Sequence, residues 1–427
     1  MKTFFESSYY FRNAALSVLR HMPRTRLAAR KLYWGLQQKR YEQIARNVPI
    51  DEKLIFFESF FGRWYADSPK AIYEAMLQDS RFDDYIFIWS FRPDVEIDVS
   101  RFDTERTIFI KRGRQEYFQA LATAKYIIIN TRLPEYVYPK EEQIYVQCWH
   151  GTPLKKLGAD VAIETANALN TTSELAWRFA IDSQKWTYML SASPFVTEHL
   201  TSAFSLPEDR KASVVLEVGD PGNDALVKAK NNPQITEVMR QRLGVPAGKK
   251  ALLYAPTWRD DSYKAGEGYT LDYLLDFDYL YEHLGKEWAV LFRPHYYIAN
   301  TFDFEKYDGF VIDVSKVDDI NDCMIASDVL VTDYSSVMFD YCNTGKPLLL
   351  YVPDLEHYSG DVRDFYFDIH DVPGVLCTTT VELSDALGQI ESYFEHYGDE
   401  YKLFIDEFCP CDDGRSAQRL LGSIIVA

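Results

Sequence analysis

The sequence predicts an α/β protein in which two Rossmann-like lobes follow a basic helical segment. Its 427 residues exceed what one hydrophobic core usually holds, so two lobes are expected. From residue 51 onward, short β-branched or aromatic runs alternate with helical stretches, a pattern typical of parallel sheets. A turn-forming stretch at residues 219–223, Gly-Asp-Pro-Gly-Asn, divides these runs into two series. The predicted parts are 1–50 (basic segment), 51–225 (first lobe), 226–400 (second lobe) and 401–427 (a helix packing back toward the first lobe).

Each predicted strand is a short apolar run bounded by polar or turn-forming residues. In the first lobe these runs are 54–57, 85–89, 107–110, 126–130 and 144–149. A helix is expected at 70–77, because Ser68-Pro69 places proline at a favoured first helical position. In the second lobe the runs are 251–254, 289–292, 311–313, 329–332 and 347–351, and residues 382–427 are mostly helical by pattern.

The first 50 residues are basic, whereas the rest of the chain is acidic. They contain ten Lys or Arg and two Glu, a charge of +8, so a total of −18 leaves −26 for the remainder. An acidic body repels phosphates, which disfavours a nucleic-acid partner. Residues 8–21 have the 3.6-residue periodicity of an amphipathic helix that ends before Pro23. We predict attachment to an anionic membrane surface through Arg12, Arg20, Arg24, Arg26, Arg30, Lys31 and Trp34. The alternative is a helical hairpin that packs on the protein's own body.

Cysteine and hydropathy patterns predict a peripheral protein at the cytoplasmic face of the cell membrane. Cys409 and Cys411 have no second cysteine pair that would complete a zinc site, so we expect all six thiols to be reduced. No cofactor is expected. No apolar run reaches the ~20 residues that span a bilayer. The N-terminus also lacks the continuous apolar region of a signal peptide.

A histidine follows the last predicted strand of the first lobe, in the sequence Gln147-Cys148-Trp149-His150-Gly151-Thr152-Pro153-Leu154-Lys155-Lys156. Open α/β sheets bind ligands at the carboxyl ends of their strands, and histidine titrates near neutrality. We therefore predict that His150 acts as a general base. The residues after it are predicted to bind an anionic acceptor: Gly151, Thr152, Lys155 and Lys156. The alternative is a structural histidine that caps the following helix.

Two motifs of the second lobe place cations at strand ends. Arg259 follows Tyr254-Ala255-Pro256-Thr257-Trp258, where it could clamp a phosphate or pair with Asp260 or Asp261. Arg293 and His295 flank Pro294 after another strand, an arrangement that suits a diphosphate. A buried structural role for His295 is the alternative.

The fourth motif is a polar turn between an apolar strand and a helix. It reads Thr332-Asp333-Tyr334-Ser335-Ser336, with Asp318-Asp319 upstream. Ser335 or Ser336 can cap the helix, whose first amide groups can bind an anion. The sequence has neither a Gly-x-Gly-x-x-Gly dinucleotide motif nor a Walker A motif. The alternative is a serine cap with a purely structural role.

Taken in order, these motifs resemble the CDP-glycerol glycerophosphotransferase family of teichoic acid primases and polymerases. The resemblance covers roughly residues 50–420. It also includes Phe57-Glu58-Ser59-Phe60 with Gly62, Asn130-Thr131, Lys346-Pro347, Phe365-Tyr366-Phe367-Asp368, and Asp413-Gly414-Arg415 before Arg419. The sequences at 130–132 and 219–223 differ from the commonest family pattern. Both lie near the expected cleft or hinge, so the resemblance does not specify the acceptor.

The resemblance implies a GT-B-like fold with the active site in the cleft between the lobes and no essential metal. It implies transfer of glycerol phosphate from CDP-glycerol, or ribitol phosphate from CDP-ribitol, to a lipid-linked teichoic acid or capsule acceptor, with release of CMP. His150 then corresponds to the proposed base and His295 to a histidine facing the donor phosphates. The donor-binding residues implied or predicted are Arg259, Arg293, Asp319, Thr332, Ser335 and Ser336.

Two other functions are compatible with the same pattern. One is a GT-B nucleotide-sugar glycosyltransferase or epimerase, which would use the same cleft for different chemistry. The other is a non-catalytic membrane scaffold that kept the fold of an enzyme. The sequence is also compatible with a homo-oligomer.

Overall fold

The computed structural model describes residues 23–162, 171–257, 263–264, 268–269, 275–294, 302–355 and 365–424. Within these ranges the chain forms two parallel sheets and a short antiparallel pair. The first sheet contains β1 (Asp51–Glu58), β2 (Ile86–Phe91), β3 (Thr107–Lys111), β4 (Ala124–Ile129), β5 (Ile144–Gln147), β6 (Tyr188–Ser191) and β7 (Val215–Glu217). The second contains β8 (Lys250–Ala255), β11 (Trp288–Phe292), β12 (Val311–Asp313), β13 (Val329–Thr332), β14 (Leu348–Tyr351) and β15 (Leu376–Cys377). The antiparallel pair is β9 (Tyr263–Lys264) and β10 (Gly268–Tyr269).

Fourteen α-helices lie among the described residues, and most of them connect the strands. They are α1 (Pro23–Asn47), α2 (Asp67–Leu77), α3 (Gln115–Thr123), α4 (Thr172–Ser183), α5 (Pro194–Ala203), α6 (Glu208–Val214), α7 (Asp224–Lys230), α8 (Pro233–Leu243), α9 (Phe277–Leu284), α10 (Ile320–Ala326), α11 (Val337–Cys342), α12 (Thr380–Gly388), α13 (Tyr393–Phe408) and α14 (Ser416–Ile424). None of these helices is long and apolar enough to cross a bilayer.

Both sheets have the strand order of a doubly wound fold. The first runs β3-β2-β1-β4-β5-β6-β7 and the second runs β12-β11-β8-β13-β14-β15, and all the pairs within them are parallel. In each sheet the order reverses beside its first strand, between β1 and β4 and between β8 and β13. Ligands of open α/β sheets bind at such reversal points, beyond the carboxyl ends of the strands. The topology therefore gives each lobe one favoured binding edge.

The inner strand β1 of the first sheet is buried on both faces over its C-terminal half. Phe56 lies in the apolar cluster on one face and Phe57 in the cluster on the other, as the two-residue period of a strand requires. The C-terminal helix α14 adds Leu420, Leu421 and Ile424 to the Phe57 cluster. Thus the last described helix packs on the first lobe, while a single larger cluster surrounds the second sheet.

Helix α1 packs on the first lobe, and three residues predicted to bind a membrane contact this lobe. Arg26 is buried, and its guanidinium donates to Glu174 at 2.9 Å. Arg30 pairs with the same carboxylate. The ring of Trp34 stacks on Trp177 at 5.4 Å between centroids. Arg26 and Arg30 therefore share the single negative charge of Glu174, on α4, and their predicted membrane contact stays a prediction.

Lys31 remains exposed, with its ammonium 4.7 Å from the centre of the Trp177 ring. The predicted helix at 8–21, with Arg12 and Arg20, lies outside the described residues, as does the side chain of Arg24.

Candidate active site

The binding edges of the two sheets carry the predicted motifs. In the first lobe, Asn130 follows β4 directly, and His150 lies three residues after the end of β5. In the second lobe, Thr257 follows β8 and Asp333 follows β13. The backbone amide of Thr257 donates to the Asp333 carboxylate at 2.9 Å, so these two loops are tied together. Each motif therefore lies where the strand order favours a ligand.

The imidazole of His150 is held in one orientation. Its Nδ1 lies 2.6 Å from the backbone carbonyl oxygen of Asn130, a contact that requires Nδ1 to carry the proton. Nε2 is then the nitrogen that can accept a proton. The rings of Trp149 and Phe60 lie 4.4 and 5.7 Å away between centroids. Burial lowers the pKa of His150 below its ordinary value, which keeps the imidazole neutral, as a general base must be.

The turn after His150 brings the two lobes together. Trp149 has φ of 57° and Gly151 has φ of 99°, so the chain reverses sharply on both sides of the histidine. A Cβ at position 151 would lie 3.1 Å from Oγ of Ser336. The predicted base and the predicted serine turn are therefore adjacent across the junction of the lobes.

The serine turn has a mixed structural role. Oγ of Ser335 accepts from the amide of Val337 at 3.4 Å, whereas Ser336 stands at the N-cap of α11 without a capping bond from its side chain. The predicted capping role is thus confined to Ser335. The hydroxyl of Ser336 faces the Gly151 turn instead.

Comparison with known proteins decides the family. The family model described as CDP-Glycerol:Poly(glycerophosphate) glycerophosphotransferase matches residues 40–426. The chain belongs to this glycerophosphotransferase family.

Glycerophosphotransferase relatives match over most of the chain. It is 36% identical to a teichoic acid poly(glycerol phosphate) polymerase of Staphylococcus epidermidis over 90% of this chain and 52% of that protein. It is 36% identical to a teichoic acid glycerol-phosphate transferase of Staphylococcus aureus over 88% of this chain and 93% of that one. Identity to a teichoic acid ribitol-phosphate primase of Bacillus spizizenii is 26%, over 89% of this chain and 92% of that protein. The chain thus spans about half the length of the S. epidermidis polymerase.

The fold is also that of a solved relative. The structure of the wall teichoic acid polymerase TagF superposes with a TM-score of 0.79 at 33% identity, covering 95% of this chain and 97% of that chain. This likeness agrees with the α/β, GT-B-like fold predicted from the sequence.

Two residues predicted to bind the donor, Thr332 and Arg293, make structural contacts within the second lobe. Thr332 is buried, and its hydroxyl donates to the carbonyl oxygen of Ala255 at 2.7 Å. Nη1 of Arg293 donates to the carbonyl oxygens of Val314 and Val317 at 2.9 and 2.8 Å. The Thr332 hydroxyl and this arm of Arg293 therefore help to hold the second lobe together, and their role toward the donor stays a prediction.

Asp319 ties the two lobes to each other. Its carboxylate accepts from the amide of Asn321 at the start of α10 and pairs with Lys70 of the first lobe at 2.7 Å. The neighbouring Asp318 pairs with Arg101, also of the first lobe. Asp319 was predicted to assist the donor, but its described contacts are an interlobe ion pair and a helix cap.

The predicted acceptor residues lie on the loop after the Gly151 turn. Thr152 is buried and Lys155 and Lys156 are half-buried. The backbone of Lys155 pairs with Phe365 of the second lobe, so this loop also bridges the lobes. Arg259 and His295 lie outside the described residues. Among the residues that are described, no three His, Cys, Asp or Glu side chains are arranged to hold a metal ion.

Four carboxyl groups meet beside this junction: those of Asp67, Asp220, Asp340 and Asp412. Burial, and then the charge of Asp220, raises the pKa of Asp67 and of Asp340 well above the ordinary value for a carboxyl group. The same two causes raise the pKa of Asp412 to about 7. Burial also raises the pKa of Asp220. Burial and mutual repulsion therefore disfavour the simultaneous ionisation of these four groups.

Sequence reasoning missed the anchor of His150. Asn130 was noted only as part of a family motif, and its role rests on its carbonyl group, which any residue has. Asp67 was not singled out, because a carboxylate before Ser68-Pro69 is an ordinary start of a helix. No local signal links these residues to the histidine.

Proposed function

We propose that this chain transfers glycerol phosphate from CDP-glycerol to a lipid-linked teichoic acid acceptor and releases CMP. The observation that carries the proposal is the approach of the His150–Gly151 turn to Ser336 across the lobes, between the binding edges of both sheets. Family membership supports the reaction class. The glycerol-phosphate relatives, at 36% identity against 26% for the ribitol-phosphate primase, support glycerol as the polyol.

The proposed reaction is a phosphoryl transfer driven by positioning and charge. Nε2 of His150 takes the proton of the acceptor hydroxyl as its oxygen attacks the phosphorus that bears glycerol. A new oxygen–phosphorus bond forms, the bond to the CMP oxygen breaks, and CMP leaves with the electron pair. The hydroxyl of Ser336 lies on the donor side of the junction, where it can donate to a phosphoryl oxygen. The family resemblance assigns Arg259 and His295 to the same phosphates.

Product analysis tests the donor and the reaction. The purified protein is incubated with a synthetic lipid-linked disaccharide and CDP-glycerol, CDP-ribitol or a UDP-sugar. We expect CMP release and a product heavier by glycerol phosphate with CDP-glycerol only. Transfer from CDP-ribitol alone would reassign the polyol, and UDP release would reject the reaction class. The His150→Ala variant is the control for background hydrolysis.

We also propose that the outward face of α1 rests on an anionic membrane, together with the segment before it. Leu32 and Leu36 are exposed at 68% and 53% and lie one turn apart on this helix. Lys39 and Arg40 follow them and are exposed as well. Apolar and basic side chains on one face favour the interface of an anionic bilayer.

Vesicle sedimentation tests this attachment. Leu32→Glu/Leu36→Glu should weaken binding to phosphatidylglycerol vesicles about tenfold or more, because two apolar side chains leave the interface and two negative charges approach it. Leu403→Glu is the matched control, since Leu403 is equally exposed, at 68%, on α13 of the second lobe. Equal binding by the double variant and this control would reject the proposed face.

A further inference from the structure

We propose that Asp67 is a positioning residue that fixes the His150 imidazole through Asn130. The inference rests on the proposed function, because it assigns a role to a residue that acts through the proposed base. Three links carry it: the bond from His150 to Asn130, the bonds that hold Asn130, and the backbone conformation that presents Asp67.

The first link makes the position of His150 depend on Asn130. Nδ1 of His150 bonds to the backbone carbonyl oxygen of Asn130 at 2.6 Å. A backbone carbonyl cannot rotate independently of its residue, so the ring moves if residue 130 moves. A base displaced by about 1 Å loses much of its effect, because proton transfer needs hydrogen-bond distance.

The second link holds the Asn130 side chain on three sides. Asn130 is fully buried, and its Oδ1 accepts from the amide of Phe60 at 2.8 Å. Its Nδ2 donates to Oγ of Ser59 at 3.3 Å and to the carboxylate of Asp67. The bonds to Phe60 and Ser59 come from the turn after β1, whereas Asp67 restrains the amide from the start of α2. Asp67 therefore supplies a restraint on the Asn130 amide that the turn after β1 does not.

The third link is the strained backbone conformation of Asp67. Its φ of 62° is in the left-handed region, which costs a residue with a side chain about 1 kcal/mol or more. Phe60, Phe61 and Trp149 share this unusual sign of φ, and Phe60 and Trp149 contact the His150 ring. Backbone strain gathered around one side chain indicates that its position matters.

Two substitutions at position 67 distinguish the effect of the carboxyl group from the effect of the backbone conformation. Asp67→Gly suits a positive φ but removes the acceptor for Asn130. Asp67→Asn tolerates this φ and keeps an oxygen that can accept. We expect kcat of Asp67→Gly to fall about tenfold with KM for CDP-glycerol nearly unchanged, because a hydrogen bond that orients the buried Asn130 side chain is lost. Asp67→Asn should recover to within about threefold of the parent protein.

A double variant that combines Asp67→Gly with His150→Ala distinguishes a positioning role of Asp67 from general stabilisation of the protein. If Asp67 acts through His150, Asp67→Gly should not lower the residual turnover of His150→Ala further. This inference, but not the proposed base, would be overturned if Asp67→Gly lowered turnover tenfold both in the parent protein and in the His150→Ala variant. It would also be overturned if Asp67→Gly had the turnover of the parent protein while His150→Ala was impaired. Parent turnover of His150→Ala itself would overturn the proposed base and this inference with it.

A second variant covers the case in which Asp67→Gly does not fold. Asn130→Ala keeps the carbonyl group that binds His150 but removes the amide that Asp67 restrains. It should reproduce the tenfold loss of kcat, and adding Asp67→Asn should change it no further. Parent turnover of a folded Asn130→Ala protein would contradict the inference.

Discussion

Replacing His150 by alanine should lower turnover by about 10²–10⁴, the range expected when a general base is lost. KM for CDP-glycerol should change little, because the described contacts of His150 are with its own lobe and not with the serine turn. Steady-state CMP release with the synthetic acceptor measures both values. His283→Ala is the control, since His283 is exposed on α9. Near-parent turnover of a folded His150→Ala protein would exclude the proposed base.

The pH profile of the parent protein gives a second test of the same role. Burial lowers the pKa of His150, so the imidazole stays deprotonated at pH values where an ordinary histidine would be charged. The acid limb of kcat/KM should therefore lie below pH ~6.5, the ordinary pKa of histidine. That limb should be absent from the residual activity of His150→Ala. An acid limb near pH 8 would point to another base.

Replacing Gly219 by alanine should lower the free energy of unfolding by about 3 kcal/mol or more. A Cβ at this position would lie 2.6 Å from the carbonyl oxygen of Cys411 and nearer still to the hydroxyl of Ser416, so the backbone before α14 must shift. Gly219 also has φ of 88°, which disfavours any side chain. Denaturant unfolding measures the loss.

Gly244 is a control that distinguishes the steric clash expected at Gly219 from the strain of a positive φ. Gly244 has φ of 76° at the end of α8, and a Cβ there would meet nothing within 4 Å. Gly244→Ala should therefore cost only the conformational penalty of about 1 kcal/mol. Equal losses in the two variants would show that the contact with the loop before α14 contributes nothing.

The strands could be predicted where an apolar run was long or sharply bounded. The runs at 311–313 and 329–332 agree with the observed strands, and the others differ by a few residues at their ends. Five strands were missed: β6, β7, β9, β10 and β15. They have two to four residues, which is too short for a periodic pattern to stand out. Local pattern also could not reveal that Glu174 would pair with two arginines of α1, because that contact joins residues 144 or more apart.

The candidate site could be predicted only in part, for a related reason. The strand-end rule located His150 and the serine turn, and topology then brought them together. The same rule did not reveal that Thr332 and one arm of Arg293 bond to carbonyl groups of their own lobe, because a polar side chain at a strand end can equally satisfy buried carbonyl groups. Which role it takes depends on neighbours from other loops. The sequence does not specify those neighbours locally.

The four half-buried carboxyl groups at the lobe junction couple separation of the lobes to proton binding. Asp340 belongs to the second lobe and Asp67 to the first, so separating the lobes would expose both to more water. Their pKa values would then fall toward those of ordinary carboxyl groups, so opening would favour the release of protons. A rise in pH would therefore shift the population of this protein toward the parted form.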